Sequence, residues 1–325
     1  MPTRVRSNPL QLSTEYTYML KRIKYLLGAA CAALVLGSCS QVGSVAGVSG
    51  GGKLVVLDIG HFVGGEGAMT PGPVNGKRLA ENAFWYQYSY YAKKEIEKAG
   101  YRCVVCNRGN APATEPLASY ARRAGVVHLK HPDHNAARYP SRYHADRVGS
   151  GVVSADYGIY CKADAMVFLH HNSSSNGWTG GASPSIIICN RYNGRPLANS
   201  IASTLNREIL NHGMPNGGRE CGVIARYVDA DRSAAWMNAC DDSGIPAAVI
   251  EAAFLNNRGH AEFLADDANA RKYAESIGRG IVAYLRSGQR VNHVRANENQ
   301  ADEGSFGYAA ESRRLSVPGA KLLVR

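Results

Sequence analysis

The sequence predicts an α/β protein, a single domain built on a mixed, largely parallel twisted sheet flanked by helices on both faces. Three observations carry this. Short apolar runs bounded by turn residues recur at 54–57, 101–106, 165–169, 186–188 and 247–250, as buried strands do. Between them lie stretches with apolar residues at helical spacing. No internal repeat interrupts the alternation, and 325 residues that are 45 % apolar and 19 % charged can bury a sizeable core.

In chain order, the first feature is an address. Lys21, Arg22 and Lys24 precede a short apolar stretch from Tyr25 to Leu36. That pattern reads as a secretory signal over 1–38, with Met19 as the expected start, and is too short for a spanning helix. It ends in Leu36-Gly37-Ser38-Cys39, which resembles the bacterial lipobox; Cys39 is the expected lipidation site. Ser40, rather than Asp, is similar to the sorting signal for the outer membrane. The expected location is the bacterial envelope, lipid-anchored, and on the outer membrane facing the periplasm if the cell is Gram-negative. The Gly/Ser-rich stretch up to residue 53 reads as a flexible tether.

The strand at 54–57 runs into Asp58-Ile59-Gly60-His61. A helix over 79–99 follows, with Phe84, Tyr88, Ala92 and Ile96 four apart and Gly100 as its stop. After the strand at 101–106, residues 109–152 break the rhythm with four prolines and with His128, His131, His134 and His144; they read as an insertion of loop character. The strand at 165–169 leads into His170-His171-Asn172. A helix carries Leu197, Ile201, Leu205 and Ile209, and the strand at 247–250 leads into Glu251. A long helix over 261–285 places Tyr273, Ile277 and Ile281 on one face, closing a catalytic domain at 54–286. Residues 287–325 lack periodicity and read as a disordered tail.

In an open α/β sheet, ligands gather beyond the carboxyl ends of the strands. Histidines stand there, and acids at Glu81, in the first turn of a helix, and at Glu251. Two histidines and a glutamate form a three-ligand catalytic zinc site, and a second glutamate from another strand supplies its general base. The compact helical HExxH motif is absent.

Over 54–286 the chain resembles the zinc-dependent N-acetylmuramoyl-L-alanine amidases (type 3) that trim bacterial peptidoglycan. The resemblance rests on VVLDIGH and GEGA (65–68), on Glu81, on AGYRCVVCNR (99–108), on KADAMVFLHHNSS (162–174) and on IPAAVIEAAFLNN (245–257). It implies one zinc ion per chain held by His61, Glu81 and His170, with Glu251 as the catalytic glutamate. It also implies peptidoglycan as substrate and the amide between N-acetylmuramic acid and L-alanine as the bond cut. Three positions depart from the usual pattern: Ile59 where the family has Pro, Phe62-Val63 where it has Gly-Gly, and Phe168 where it has Ser. All four chemical positions remain occupied. Some relatives hold a regulatory helix over the metal, and by that analogy 109–152 is a candidate gate.

His171 competes with His170, because only one of two neighbours on a strand faces the cleft. Asn172 either supports the site or turns the chain, and Asp58 either orients a ligand or forms a turn. Cys103 and Cys106 point to opposite faces of a strand, which disfavours a redox pair. With Cys161, Cys189, Cys221 and Cys240 they are either partly bridged or reduced. Two other functions compete with the amidase: a zinc peptidase cutting within the stem peptide, and a non-catalytic lipoprotein that binds peptidoglycan. An activator protein is left open.

The net charge of +11 does not mark a nucleic-acid binder, since no basic helix or aromatic-basic motif accompanies it. Residues 1–53 carry +5, the central domain +4 and the tail +2, so the largest share sits in and around the export signal.

Overall fold

The computed structural model describes residues 52–62, 65, 67–129, 154–155, 157–159, 161–174, 177–179, 185–226 and 235–289. The signal, Cys39 and most of the tether, His131, His134 and His144 of the insertion, and the tail from residue 290 lie outside the described residues.

The apolar run after Lys53 forms β1 (Leu54–Phe62), longer than its hydrophobic stretch because the strand continues through Asp58 to His61. It is followed by α1 (Glu81–Lys98), β2 (Arg102–Arg108), α2 (Glu115–Ala124), β3 (Val127–Leu129), β4 (Ala165–Leu169), β5 (Ile186–Asn190) and α3 (Arg195–Glu208). Next come β6 (Gly222–Arg226), α4 (Ala235–Asp242), β7 (Ala247–Glu251), α5 (Arg258–Ala265) and α6 (Asp267–Ser287). Every residue of β4, β5 and β7 is buried, as expected of strands covered on both faces.

The seven strands form one sheet in the order β3-β2-β1-β4-β7-β5-β6. All neighbours are parallel except β5 and β7, which run antiparallel, so the sheet is mixed and largely parallel. From β1 the chain winds outward to β2 and β3, then returns to place β4 on the other side of β1. That reversal is a topological switch point, where the connections leaving two adjacent strands part and open a crevice. The register sets its lip: Ile59 pairs with Leu169, and Leu169 with Ile250, so His61, His170 and Glu251 emerge at neighbouring levels of one sheet edge.

Alternation along the strands divides the core. Val55, Leu57 and Ile59 face Trp85, Ile201, Tyr273 and Ile277, which belong to α1, α3 and α6. Leu54 and Val56 face Ala155, Met237 and Cys240 on the opposite side. Lys53 closes the unit by donating from Nζ to the carbonyl of Leu285 (2.5 Å), so the start of β1 meets the end of α6. Among the described residues no helix is long and apolar enough to cross a membrane.

Several elements depart from the sequence expectation. The helix expected at 261–285 is two, because Asp266 takes an extended conformation and its side chain accepts from Asn269 N (2.9 Å), capping α6. The region expected to be loop contains α2 and β3; Pro116 sits in the first turn of α2, where a missing N–H costs nothing. The edge strand β6 and the short α4 are further elements that the sequence expectation does not include. Cys103 and Cys106 do face opposite sides of the sheet, and no disulfide joins any of the six described cysteines.

Candidate metal centre

β1 does not end regularly. Its pairing with β2 shifts register between Asp58 and Phe62, and His61 has φ of 63°, the left-handed region that costs a non-glycine residue energy. The displaced carbonyls find substitute donors. The buried Asn107 side chain donates to the carbonyls of Ile59 and His61, each at 2.7 Å, and Tyr86 Oη donates to Asn107 Oδ1 (2.8 Å). Asn82 donates to the carbonyl of Gly60 (3.1 Å). These contacts hold the His61 backbone in the conformation that turns its ring toward Glu81.

Glu81 opens α1, where unpaired N–H groups and the helix dipole favour negative charge. Its side chain is 2 % exposed and both oxygens are used twice. Oε2 lies 3.0 Å from His61 Nε2 and accepts from Ala68 N (2.7 Å). Oε1 lies 2.8 Å from His170 Nδ1 and accepts from His171 N (2.9 Å). Burial alone would raise the Glu81 pKa; hydrogen bonds from His170 and His61, and their charge, outweigh it and hold the carboxyl well below the usual range. The His61 ring shifts the other way: burial opposes its protonation, but its hydrogen bond to Glu81 and that carboxylate's charge raise it. One donor atom from each of His61, Glu81 and His170 lies within 4.8 Å of the others.

Two glycines make room for this cluster. A Cβ on Gly60 would come within 2.6 Å of the His170 ring, and one on Gly67 would overlap Glu81 Oε2 and His61 Cδ2. Gly67 also has φ of +71°.

Glu251, the last residue of β7, stands beside β4, where His170 N donates to the carbonyl of Ile250 (3.2 Å). Burial, and then the charge of Glu81, push the Glu251 pKa well above the ordinary carboxylate range, and its Oε2 is buried without a hydrogen-bond partner. Glu251 is thus a buried acid with an uncommitted oxygen next to the histidine–carboxylate cluster.

Of the two adjacent histidines, His170 faces the cluster and His171 faces the core. His171 packs against Trp85 and Tyr273, with ring centroids 5.0 Å and 6.0 Å away, and those two rings also meet each other at 5.9 Å. Burial pushes its pKa down to about 3, and neither ring nitrogen has a hydrogen-bond partner. Asn172 turns the chain: its backbone bonds to Ala253 and Leu255, and its Oδ1 accepts from Ser173 N (2.8 Å). Asp58 projects to the opposite face of the sheet, where it accepts hydrogen bonds from Ser154 Oγ and from Cys106 Sγ. It makes no hydrogen bond to His61, and burial pushes its pKa up to about 7. Asn107 and Asn82 went unnoticed in the sequence. The available signal was an asparagine inside the otherwise apolar run of β2, since a buried amide must spend its hydrogen bonds on something.

The family model for N-acetylmuramoyl-L-alanine amidase matches residues 55–283, which includes every residue of this cluster. No curated protein matches the chain. Solved structures similar to it include N-acetylmuramoyl-L-alanine amidase AmiC2 of Nostoc punctiforme, with 20 % identity over 72 % of this chain and 97 % of that one and a TM-score of 0.45. Ami1 from Mycobacterium smegmatis shares 17 % identity over 74 % of this chain and 100 % of that one, with a TM-score of 0.47. The catalytic domain of CwlV from Bacillus (Paenibacillus) polymyxa var. colistinus shares 16 % over 72 % and 98 %, with a TM-score of 0.46. By the extent of the family match, this chain belongs to the N-acetylmuramoyl-L-alanine amidases, enzymes that hydrolyse an amide bond of peptidoglycan.

Proposed function

We propose that the chain is a zinc-dependent amidase in which His61, Glu81 and His170 hold the metal and Glu251 moves the proton. The observation that carries the proposal is the convergence of two imidazole nitrogens and a carboxylate oxygen within 4.8 Å, beside an acid whose buried oxygen is uncommitted. The donor set fits zinc: nitrogen and oxygen ligands, three in number, as in catalytic sites that keep a position open. The glycine-lined space around the cluster fits it as well.

When bound, zinc lowers the pKa of water to about 7 and polarises the scissile carbonyl. Glu251 accepts the proton of the attacking water and returns it to the departing amine of L-alanine, which would otherwise leave as a poor anion. Its raised pKa makes it a competent donor in that second step. Glu81 stays ionised throughout as a ligand, and the hydrogen bonds it accepts from Ala68 N and His171 N anchor it to two loops at once.

Export and lipid anchoring at Cys39 are proposed from the sequence of 20–39 alone. Replacing Cys39 by Ala should move the protein from the membrane fraction to the soluble fraction of the envelope, and unchanged fractionation would refute anchoring. For the chemistry, Glu251→Gln should keep one zinc per chain yet abolish release of stem peptides from purified sacculi. Release at the wild-type rate would overturn the assignment. Products ending in a free lactyl carboxylate identify the amidase; new internal peptide termini identify a stem-peptide peptidase.

A further inference from the structure

The turn that follows Glu251 is tied down at several points, among them the Ala252 carbonyl, which accepts from Ser185 Oγ, and the Asn256 carbonyl, which accepts from Thr179 N (2.8 Å). On one side it joins the loop after β4: Asn172 N donates to Ala253 O (2.7 Å), and Leu255 N donates to Asn172 O (3.0 Å). The intervening Phe254 N–H points the other way, where no strand is available to receive it. Its acceptor is a side chain, Nδ1 of His260, at 3.0 Å. The opposite nitrogen, Nε2, lies 2.6 Å from the carbonyl of Pro215, in the loop after α3.

One ring nitrogen therefore accepts from an amide while the other faces a carbonyl, which fixes the tautomer with its proton on Nε2. The residue is fully buried, and burial pushes its pKa down to about 4, so the ring is neutral wherever the fold is intact. His260 itself is held by the start of α5: its N–H donates to Asn257 Oδ1 (3.1 Å), the capping residue of that helix. Pro215, His260 and Phe254 thus form a chain of bonds from the loop after α3 into the turn three residues beyond Glu251. Among the described hydrogen bonds, none joins His61, Glu81 or His170 to this chain.

We infer that His260 is a positioning residue for Glu251, holding the turn Ala252–Asn257 so that the acid meets the cluster at a fixed height. This rests on the reading of Glu251 as the proton-transfer group. Displacements of about 1 Å in such a group cost on the order of 100-fold in rate. The ring is the sole partner of the Phe254 amide among the described hydrogen bonds, so removing it loosens the middle of the turn while the bonds to Asn172, Thr179 and Ser185 remain.

The test compares His260→Phe and His260→Gln in the full zinc-loaded chain. Phe fills the space and removes both bonds, while Gln retains one acceptor and one donor. For H260F, kcat on sacculi should fall about 10- to 100-fold, with KM and zinc content unchanged. Amide exchange over 252–257 should accelerate about tenfold while exchange in β4 stays at the wild-type rate. H260Q should recover most of both losses. Wild-type kcat in H260F, or faster exchange throughout the sheet in both variants, would overturn the inference. The exchange measurement does not need substrate: a wild-type chain that releases no peptide would refute the amidase chemistry, whereas a wild-type exchange rate over 252–257 in H260F would refute the clamp.

Discussion

Gly67 and Glu81 are in contact such that a single added carbon on the glycine would overlap the carboxylate oxygen that faces His61. Gly67→Ala should therefore push apart two of the three proposed ligands, in addition to straining a backbone at φ of +71°. Zinc affinity should fall at least tenfold, measured by competition with a chromogenic chelator. Gly72→Ala is the control, because its added carbon meets only Trp178 Nε1 at 3.8 Å. Equal affinities in the two variants would contradict the packing described.

The adjacent histidines give opposite expectations. His170→Ala should lose stoichiometric zinc, whereas His171→Phe should keep it and retain activity. Because both His171 nitrogens are buried without partners, a phenyl ring against Trp85 and Tyr273 should also stabilise the fold, by about 1–3 kcal/mol. Metal analysis together with denaturant unfolding decides both points.

Asp58 makes stability depend on pH. Burial, only partly offset by the Ser154 hydrogen bond and the charges of His61 and Arg108, pushes its pKa from 3.8 up to about 7, so the folded chain keeps a proton that the unfolded chain releases. Stability attributable to this group is intact below 3.8 and is lost as pH rises toward 7, by about 4 kcal/mol in order of magnitude. Asp58→Asn cannot ionise and still accepts from Ser154. Unfolding curves of the variant and the parent should nearly coincide at pH 4 and diverge in favour of the variant at pH 8. A constant offset at both pH values would sink the argument.

Asn107 carries the irregular end of β1. Asn107→Ala leaves the carbonyls of Ile59 and His61 without those donors, at a cost of about 1–3 kcal/mol. Since one of those carbonyls belongs to His61 itself, zinc affinity should drop along with stability, as titration calorimetry would show. Asn107→Asp, which cannot donate, should be no better than Ala.

The central strands and the proposed chemical residues were legible because each obeys a local rule. Strands β4 and β7 are short apolar runs that stop at a polar residue, and those stops are His170 and Glu251. Strand alternation allows only one of His170 and His171 to face the cleft, and the family resemblance, not the alternation, selects His170. What sequence could not show was set by partners far away in the chain. Whether β5 runs with or against β7 depends on pairing across about sixty residues, with no imprint on the Ile186–Ile188 triplet. Asp58, three residues before His61, accepts its hydrogen bonds from Ser154 and Cys106 and acts on the His61 ring through charge, which no local pattern announces. Asp266, one acid among several in a long helical pattern, ends a helix only because its backbone turns extended and its side chain finds Asn269.

The bond from Lys53 to Leu285 places both boundaries of the enzymatic unit together, at the end of the sheet remote from Glu251. A leash attached at either boundary therefore pulls from the back of the molecule and leaves the reactive edge facing outward. The same proximity means that joining residues 53 and 286 through a short flexible linker and opening the chain elsewhere should preserve the hydrolase. It also means the unit can be inserted within another polypeptide without stretching its sheet.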